Sequence, residues 1–205
     1  HQLDEQQRDW RSRMRLLDPG PSRKGWHRLQ TVLQCPRKYA LYVASKATPG
    51  PVSSPALIKG TLLHTALAHH YALKRNPGAG LFSPLGAIEE QVKRQPNAAE
   101  WDKHAQLVSQ TYLQYELRWA AEQWEGVNVE RELVATIHDD DRNEAYLYTQ
   151  RADLIVRHPQ TGLIYIVDHK TTGRLSAKTL RRYTLSGQFR GYNFFGRGLL
   201  GNKFG

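Results

Sequence analysis

The sequence predicts an α/β (α+β) protein with a large helical N-terminal part followed by an antiparallel sheet. Two apolar runs rich in Ile, Val and Tyr, residues 152–156 and 163–167, flank a turn with Pro and Gly at residues 158–162, which indicates a β-hairpin. Before residue 125, apolar residues recur at intervals of three and four, as on one face of a helix. The 205 residues, 40% of them apolar, suffice for one folded domain.

The chain begins with a polar segment of mixed charge. We interpret residues 1–25 as an N-terminal arm, loosely tied or forming a short helix over residues 10–17, that ends in a Pro-Gly-Pro break at residues 19–21. From residue 26 an apolar helical face follows, and Pro36 suits the first turn of a second helix.

Three more helices precede the predicted sheet, over residues 56–75, 85–95 and 98–124. In the last of them an aromatic stripe indicates a buried scaffold face. In the first, Gly60 and His64 share a face. Because glycine inside a helix costs about 1 kcal/mol relative to alanine, we expect a close approach to the backbone at Gly60. His64 is a candidate metal ligand, although a core or surface histidine is the commoner alternative.

The sheet is expected to contain three antiparallel strands in series, over residues 127–137, 145–156 and 163–167. An acidic hairpin loop joins the first two. Beyond the sheet, Ser176 is suited to cap a helix over residues 177–183. Another helix over residues 185–197 places Gln188 and Tyr192 on one face, where spacing alone favours ordinary packing.

Charged side chains gather where the two strands of the hairpin leave the core. Side chains alternate along a strand, so Asp168 and Lys170 point to one side and His169 to the other. Asp153 begins the partner strand, close to Asp168. Carboxylates held close together repel unless a positive charge lies between them, and a divalent cation is the commonest solution. A rim of solvated charges is the alternative.

The chain is strongly basic. Lys and Arg number 29 against 19 for Asp and Glu, a net charge of +10, which favours a polyanionic partner such as nucleic acid. No acidic residue follows Asp168, whereas these basic residues do: Lys170, Arg174, Lys178, Arg181, Arg182, Arg190, Arg197 and Lys203. The positive charge is thus concentrated beside the carboxylates, where phosphates would need it. Arg37 and Lys38, at a helix junction, are further candidates, with a solvated helix end slightly favoured.

Cysteine content and hydropathy narrow the class of protein. The single cysteine, Cys35, excludes an intramolecular disulfide and any site built on several thiolates, and it indicates a reducing compartment. No apolar run approaches the roughly 20 residues needed to cross a bilayer. We expect a cytoplasmic protein of bacterial or phage origin with no membrane partner. Because the sequence starts at His1, a removed targeting segment and an organellar location stay open.

Five short segments, in chain order, resemble the PD-(D/E)xK nuclease superfamily, specifically its RecB-like and Cas4-like branch. They are QCPRKYALY at residues 34–42, GTLLH at 60–64, RADLI at 151–155, DHKTT at 168–172 and QFRGY at 188–192. The resemblance covers about residues 26–192, and a helical insert at about residues 77–125 contributes no motif. It implies the restriction-endonuclease-like fold, a central mixed, mostly antiparallel sheet flanked by helices.

The resemblance also implies the roles of individual residues. His64, Asp153 and Asp168 match metal ligands, and the main-chain carbonyl of His169 matches a further one. Lys170 matches the lysine that positions or activates the attacking water and stabilises the phosphate.

Other residues are expected to contact DNA or to support the site. The expected DNA contacts are Gln188, Tyr192, Thr171, Arg37, Arg174, Arg181 and Arg182. Glu130, on the first strand, is a weaker candidate for a supporting role behind the metal ligands. Phosphodiester hydrolysis requires a nucleophile near neutral pH and neutralisation of the charge that builds on the phosphate, and hard cations supply both. Mg²⁺ or Mn²⁺ is the expected cofactor, with Mn²⁺ tolerating the histidine better.

The sequence departs from the family pattern at three points. Many Cas4-like members carry four cysteines around an iron-sulfur cluster, and only Cys35 matches one of them, so we expect no cluster. Gln150 stands where the strand motif usually has glycine. A further strand normally follows the last motif, but only residues 198–205 remain, so the predicted domain over residues 26–205 is expected to be incomplete at its C-terminus.

We therefore expect a metal-dependent DNA nuclease, most simply a RecB/Cas4-like exonuclease in recombination, repair, or phage or CRISPR-related DNA processing. Its substrates would be single strands or duplex ends, and proteins of a recombination or phage complex are candidate partners. The alternative is a catalytically inactive nucleic-acid-binding module of such a complex. Binding alone requires basic surface but not a carboxylate pair that repels phosphate. A serine hydrolase would require a nucleophile elbow, and the sequence contains none.

Overall fold

The computed structural model describes residues 14–17, 19–22, 24–41 and 54–205. In these residues the α-helices are α1 (Trp26–Gln34), α2 (Pro36–Tyr39), α3 (Pro55–Arg75), α4 (Pro84–Lys93), α5 (Ala98–Arg118), α6 (Ala177–Thr184) and α7 (Gly187–Leu200). The strands are β1 (Glu125–Asp139), β2 (Glu144–Arg157) and β3 (Ile164–Val167). This mixture of helices and antiparallel strands confirms the predicted α/β class.

Serine side chains define the starts of four helices. The hydroxyl oxygens of Ser54, Ser83, Ser176 and Ser186 accept hydrogen bonds from backbone N–H groups in the first turns of α3, α4, α6 and α7. Each bond satisfies a donor that the helix itself leaves unpaired. Proline lies in the first turn of α2, α3 and α4, where its missing N–H and fixed φ favour helix entry.

The helices α3, α4 and α5 pack around one apolar cluster. It comprises Ile58, Leu62, Ala66, Leu67, Ile88, Val92, Trp101, Val108 and Tyr112. The predicted aromatic stripe of α5 is therefore largely core. Its predicted end at residue 124 is wrong, because α5 ends at Arg118. The chain leaves the helix so that Trp124 can pack edge-on against the rings of His158 and Tyr165 beside the sheet.

The sheet has the strand order β1-β2-β3, and both pairings are antiparallel. Between the sheet and α7 lies a cluster that includes Leu133, Ile155 and Phe195, whereas Leu154 and Val156 pack with Tyr71 of α3. Helices therefore contact the sheet through two separate cores. An isolated parallel bridge joins Ile164 to Phe204 beside β3, and the three strands form the antiparallel series that was predicted.

The described part of the N-terminal arm contains no helix. Residues 14–17 are not helical, so the predicted short helix over residues 10–17 is wrong there, and residues 10–13 lie outside the described residues. Tertiary hydrogen bonds replace helical ones, because Arg15 N–H donates to the Gly80 carbonyl at 2.9 Å and Leu17 N–H donates to His69 Nε2 at 2.9 Å.

The arm then joins the helices to the sheet. Ser22 Oγ donates to the Thr149 carbonyl at 3.3 Å, and Lys24 N–H donates to Thr149 Oγ1 at 2.8 Å. Residues 14–17 are thus attached to α3 and to the loop before α4, whereas residues 22 and 24 are attached to β2. Among the described helices, none combines the length and the apolar character that a membrane span requires.

The buried ring of His69 generates a prediction about stability. Its nitrogens contact Leu17 N–H and, at 2.8 Å, the Phe82 carbonyl. His69→Leu leaves both backbone groups unpaired, so the free energy of unfolding in urea should fall by about 1–3 kcal/mol. Burial lowers the pKa of His69 below 6.5, although the Phe82 carbonyl opposes this. As the pH falls, residue 69 is therefore protonated in the unfolded chain before it is protonated in the folded protein. The free energy of unfolding of the wild type should decrease as the pH falls below 6.5.

The control for this prediction is His138→Leu, at an exposed position on β1. It should leave the free energy of unfolding nearly unchanged and keep the wild-type pH dependence, whereas His69→Leu should lose part of that dependence. Equal stability losses in the two variants, with identical pH profiles, would contradict the role assigned to His69.

Candidate metal centre

Three partly buried side chains from three elements converge beside the sheet. They are His64 on α3, Glu130 on β1 and Asp153 on β2, and one potential ligand atom from each lies within 4.8 Å of the other two. One imidazole nitrogen and two carboxylate oxygens form a donor set that suits a divalent cation with a preference for oxygen ligands. The residues present therefore fit a metal ion.

The carboxylate of Asp153 is held from two sides. His64 Nδ1 lies 3.3 Å from Asp153 Oδ2, and the backbone N–H of His169 donates to the same oxygen at 2.7 Å. Burial by itself would raise the pKa of Asp153, but the hydrogen bonds from His169 and His64 outweigh it and hold the pKa below its usual range. Asp153 is thus ionised near neutral pH.

The pKa of His64 moves in the opposite direction. Burial tends to lower it, but the hydrogen bond and the charge of Asp153 raise it above the ordinary value of 6.5. A cation that binds a protonated nitrogen of the His64 imidazole must displace the proton on that nitrogen. Cation binding at the site is therefore coupled to proton release.

Glu130 reaches the site through an uncommon backbone conformation. Its φ of +50° lies in the left-handed region, which costs a residue other than glycine about 1–3 kcal/mol. It lies on β1 between the pairs Val129 with Leu154 and Arg131 with Ala152, directly across from Asp153. The sequence predicted only a supporting role for Glu130, whereas the structure places its carboxylate beside His64 and Asp153. The position of Glu130 beside Asp153 follows from the register of β1 against β2, so a prediction of that register would have identified it.

Asp168 lies outside this compact group and has its own partners. Its Oδ1 accepts hydrogen bonds from Gln188 Nε2 at 2.9 Å and from the Tyr192 hydroxyl at 2.8 Å. Its Oδ2 forms an ion pair with Lys170. The side chain of Asp168 is 1% exposed and that of Lys170 is 31% exposed, so the buried carboxylate holds an ammonium group that still reaches solvent.

Gln188 and Tyr192, predicted as DNA contacts, are held together at Asp168. Gln188 Nε2 also donates to the Tyr192 hydroxyl at 2.9 Å, and the single proton of this hydroxyl is shared between Asp168 Oδ1 and the Arg151 carbonyl, which lies 2.7 Å away. Burial and the charge of Asp168 raise the pKa of Tyr192, so its hydroxyl stays protonated as a donor. Their observed contacts therefore orient the carboxylate, and contact with DNA stays a prediction.

Two glycines permit close approaches around the site. A Cβ atom at Gly60 would lie 3.4 Å from Thr171 Oγ1, so the backbone of α3 runs in contact with the segment after β3, as expected. A Cβ atom at Gly191 would lie 2.5 Å from Gln150 Nε2. The missing side chain of Gly191 therefore makes room for Gln150, which replaces the glycine usual in the strand motif.

An open cleft of about 1180 Å³ contains the site. The acidic residues that line it are Glu130, Asp153 and Asp168, and the cationic ones are Arg151, Lys170 and Arg182. Thr171 and Gln188 also line the cleft. Of the other predicted DNA contacts, Arg37, Arg174 and Arg181 are exposed and are not among the residues that line it.

A family model described as the PD-(D/E)XK nuclease superfamily matches residues 26–195, which is well over half of the chain. No curated protein matches the chain significantly.

The convergence of His64, Glu130 and Asp153 predicts a measurable cation site. Asp153→Asn and Glu130→Gln keep the size of each side chain but remove its charge. Each should weaken Mn²⁺ binding by more than about tenfold, because even groups that only orient a ligand contribute about 10–100-fold to metal affinity. Isothermal titration calorimetry with Mn²⁺ measures the change.

Asp139→Asn is the matched control, since Asp139 ends β1 and pairs with Arg142 at 3.6 Å in the hairpin loop. Its affinity for Mn²⁺ should equal that of the wild type. Wild-type affinity in both Asp153→Asn and Glu130→Gln would show that these carboxylates do not bind the ion.

Proposed function

Because the chain belongs to the PD-(D/E)XK nuclease superfamily, we propose that it is a metal-dependent deoxyribonuclease that hydrolyses phosphodiester bonds. One observation carries this proposal. Asp153 on β2 and Asp168 directly after β3 both follow the Leu154–Val167 pair at the same end of the hairpin. His64 contacts the first carboxylate, and Lys170 forms an ion pair with the second. A cleft with both acidic and basic walls is suited to hold a cation and a phosphate side by side.

The ligands of the cation are drawn from the residues around Asp153. His64, Asp153 and Glu130 would hold it, with Asp168 and the His169 carbonyl as the further ligands that the family resemblance implies. When bound, Mg²⁺ or Mn²⁺ supplies Lewis-acid activation of the phosphate and of the attacking water. The imidazole among the ligands favours Mn²⁺ over Mg²⁺ in vitro.

Lys170 acts on the phosphate in this proposal. Its ammonium group is anchored by Asp168, which Gln188 and Tyr192 hold in turn. A cation fixed in this way is already oriented toward the negative charge that develops on the phosphate, so no reorganisation is needed during the reaction. The partial exposure of Lys170 leaves it accessible to a substrate in the cleft.

Exonuclease action of the RecB/Cas4-like type, in recombination, repair or phage DNA processing, is the finer part of the proposal. The five sequence motifs support the branch. Residues 19–22 line the cleft, and the arm is attached to the helices on one side and to β2 on the other. A cleft lined in part by the arm favours entry of a strand end or a single strand over a continuous duplex.

The central prediction concerns cleavage. Asp168→Ala and Lys170→Ala should each reduce the cleavage rate of end-labelled DNA in Mg²⁺ or Mn²⁺ by at least about 100-fold, the loss typical when one preorganised electrostatic group is removed. Single-stranded, duplex and circular substrates are compared, because an exonuclease leaves circles intact.

Lys93→Ala, on the exposed surface of α4, is the control and should cut at the wild-type rate. Full activity in either Asp168→Ala or Lys170→Ala would defeat the assignment. Tight DNA binding by the wild type without cleavage in either metal would instead favour a binding module.

A second prediction separates the basic residues. Arg182 lines the cleft, so Arg182→Ala, made in an Asp168→Ala background to prevent cleavage, should weaken DNA binding and reduce the salt slope of log Kd by about one. Fluorescence anisotropy at several salt concentrations measures both. Arg142→Ala, in the exposed hairpin loop, should change neither quantity, and an equal effect of the two variants would contradict a specific role for Arg182.

A further inference from the structure

A chain of polar contacts runs from Asp153 away from the cleft and into the helical insert. It passes through His169, Tyr115 and Tyr71 and ends at Glu122. None of the sequence motifs includes Tyr71, Tyr115 or Glu122. We propose that these three are positioning residues that fix the imidazole of His169 beside Asp153 and thereby set the affinity of the site for its cation. This inference rests on the proposed function.

The contacts nearest the site come from His169. Its backbone N–H donates to Asp153 Oδ2 at 2.7 Å, and its ring nitrogen Nδ1 lies 3.7 Å from the same oxygen. The other ring nitrogen, Nε2, lies 3.4 Å from the Tyr115 hydroxyl. The imidazole is therefore placed between the carboxylate of a proposed metal ligand and a tyrosine of the insert.

The two tyrosines link this ring to a buried carboxylate. The Tyr71 hydroxyl donates to Glu122 Oε2 at 3.1 Å. Because a phenol has a single proton, the bond of 2.5 Å between the two hydroxyls takes its proton from Tyr115. Glu122, whose side chain is 7% exposed, also pairs with Lys74 at 3.1 Å. This ion pair gives the chain of contacts a fixed end.

Ring packing restricts His169 in the remaining directions. Its ring stacks on Tyr71 at an interplanar angle of 26°, and it meets Tyr115 edge-on at 76°, with centroids 6.0 Å apart in both cases. The ring of His64 lies edge-on at 6.3 Å. Rotation of the His169 ring would break the contact with Tyr115 and disturb both Asp153 and His64.

The positions of these residues connect two helices to the site. Tyr71 follows His64 by seven residues on α3, and seven residues complete about two helical turns, so both project from one face. Tyr115 lies in the last turn of α5, and Glu122 follows in the turn before β1. The insert at residues 77–125, which contributes no motif, thus supplies two of the three positioning residues.

Groups that orient metal ligands are worth about 10–100-fold in metal affinity. We therefore expect Tyr71→Phe and Tyr115→Phe each to weaken Mn²⁺ binding by about tenfold in isothermal titration calorimetry. DNA cleavage should show the same shift as a higher Mn²⁺ concentration for half-maximal rate, and saturating Mn²⁺ should restore most of the rate. A residue needed only for folding would not produce this split.

Tyr112→Phe is the matched control. Tyr112 lies one turn before Tyr115 on α5 and is 2% exposed, and its hydroxyl contacts His70 at 2.9 Å and Glu116 at 3.0 Å. Its removal should lower the melting temperature without changing Mn²⁺ affinity, and melting curves of all three variants show how much each is destabilised.

The outcomes distinguish the two proposals. If the wild type binds Mn²⁺ and cuts DNA while Tyr71→Phe and Tyr115→Phe bind Mn²⁺ as tightly as Tyr112→Phe, the positioning role is wrong and the nuclease assignment stands. If the wild type neither binds Mn²⁺ nor cuts DNA, both are overturned. A selective loss of Mn²⁺ affinity in the first two variants supports the positioning role.

Discussion

The rest of the site depends on the close placement of two carboxylates at the end of a β-hairpin. The pairing of Leu154 with Val167 brings Asp153 and Asp168 to the next opposite positions. Two carboxylates placed in this way in partly buried surroundings repel each other. The fold holds such a pair because other groups compensate for the repulsion, and those groups are the residues that we propose as functional.

The negative charges of the two carboxylates are compensated in different ways. Asp168 is paired with the ammonium of Lys170 and receives hydrogen bonds from α7, so its charge is balanced within the protein. Asp153 receives hydrogen bonds from His169 and His64, while Glu130 adds a second negative charge nearby. Asp153 and Glu130 therefore keep negative charge available for the proposed cation, whereas Asp168 also holds the lysine that we propose to act on the phosphate.

Helices on both sides of the sheet supply the groups that contact the two carboxylates. The helix α3 provides His64 and α7 provides the donors to Asp168, and both helices are anchored by the cores on either side of the sheet. The insert has a structural role in its apolar cluster and a second one through Tyr115. A helix that first appears to be scaffold therefore reaches the site through one turn of its sequence, because Tyr115 packs against the apolar cluster and also brings its hydroxyl to His169.

The sequence by itself determined the hairpin, the capped helices and the order of the motifs, because these depend on local patterns: alternation, serine caps, turn residues and short spacings. It also singled out Asp153, Asp168, Lys170 and His64. Only the tertiary structure decided which partner each carboxylate contacts and placed Glu130 beside His64 and Asp153. It also left the apolar side chain of Leu33 on α1 71% exposed. These outcomes depend on strand register, on a left-handed backbone at one residue and on contacts between elements far apart in the chain, and none of these leaves a periodic pattern in the sequence.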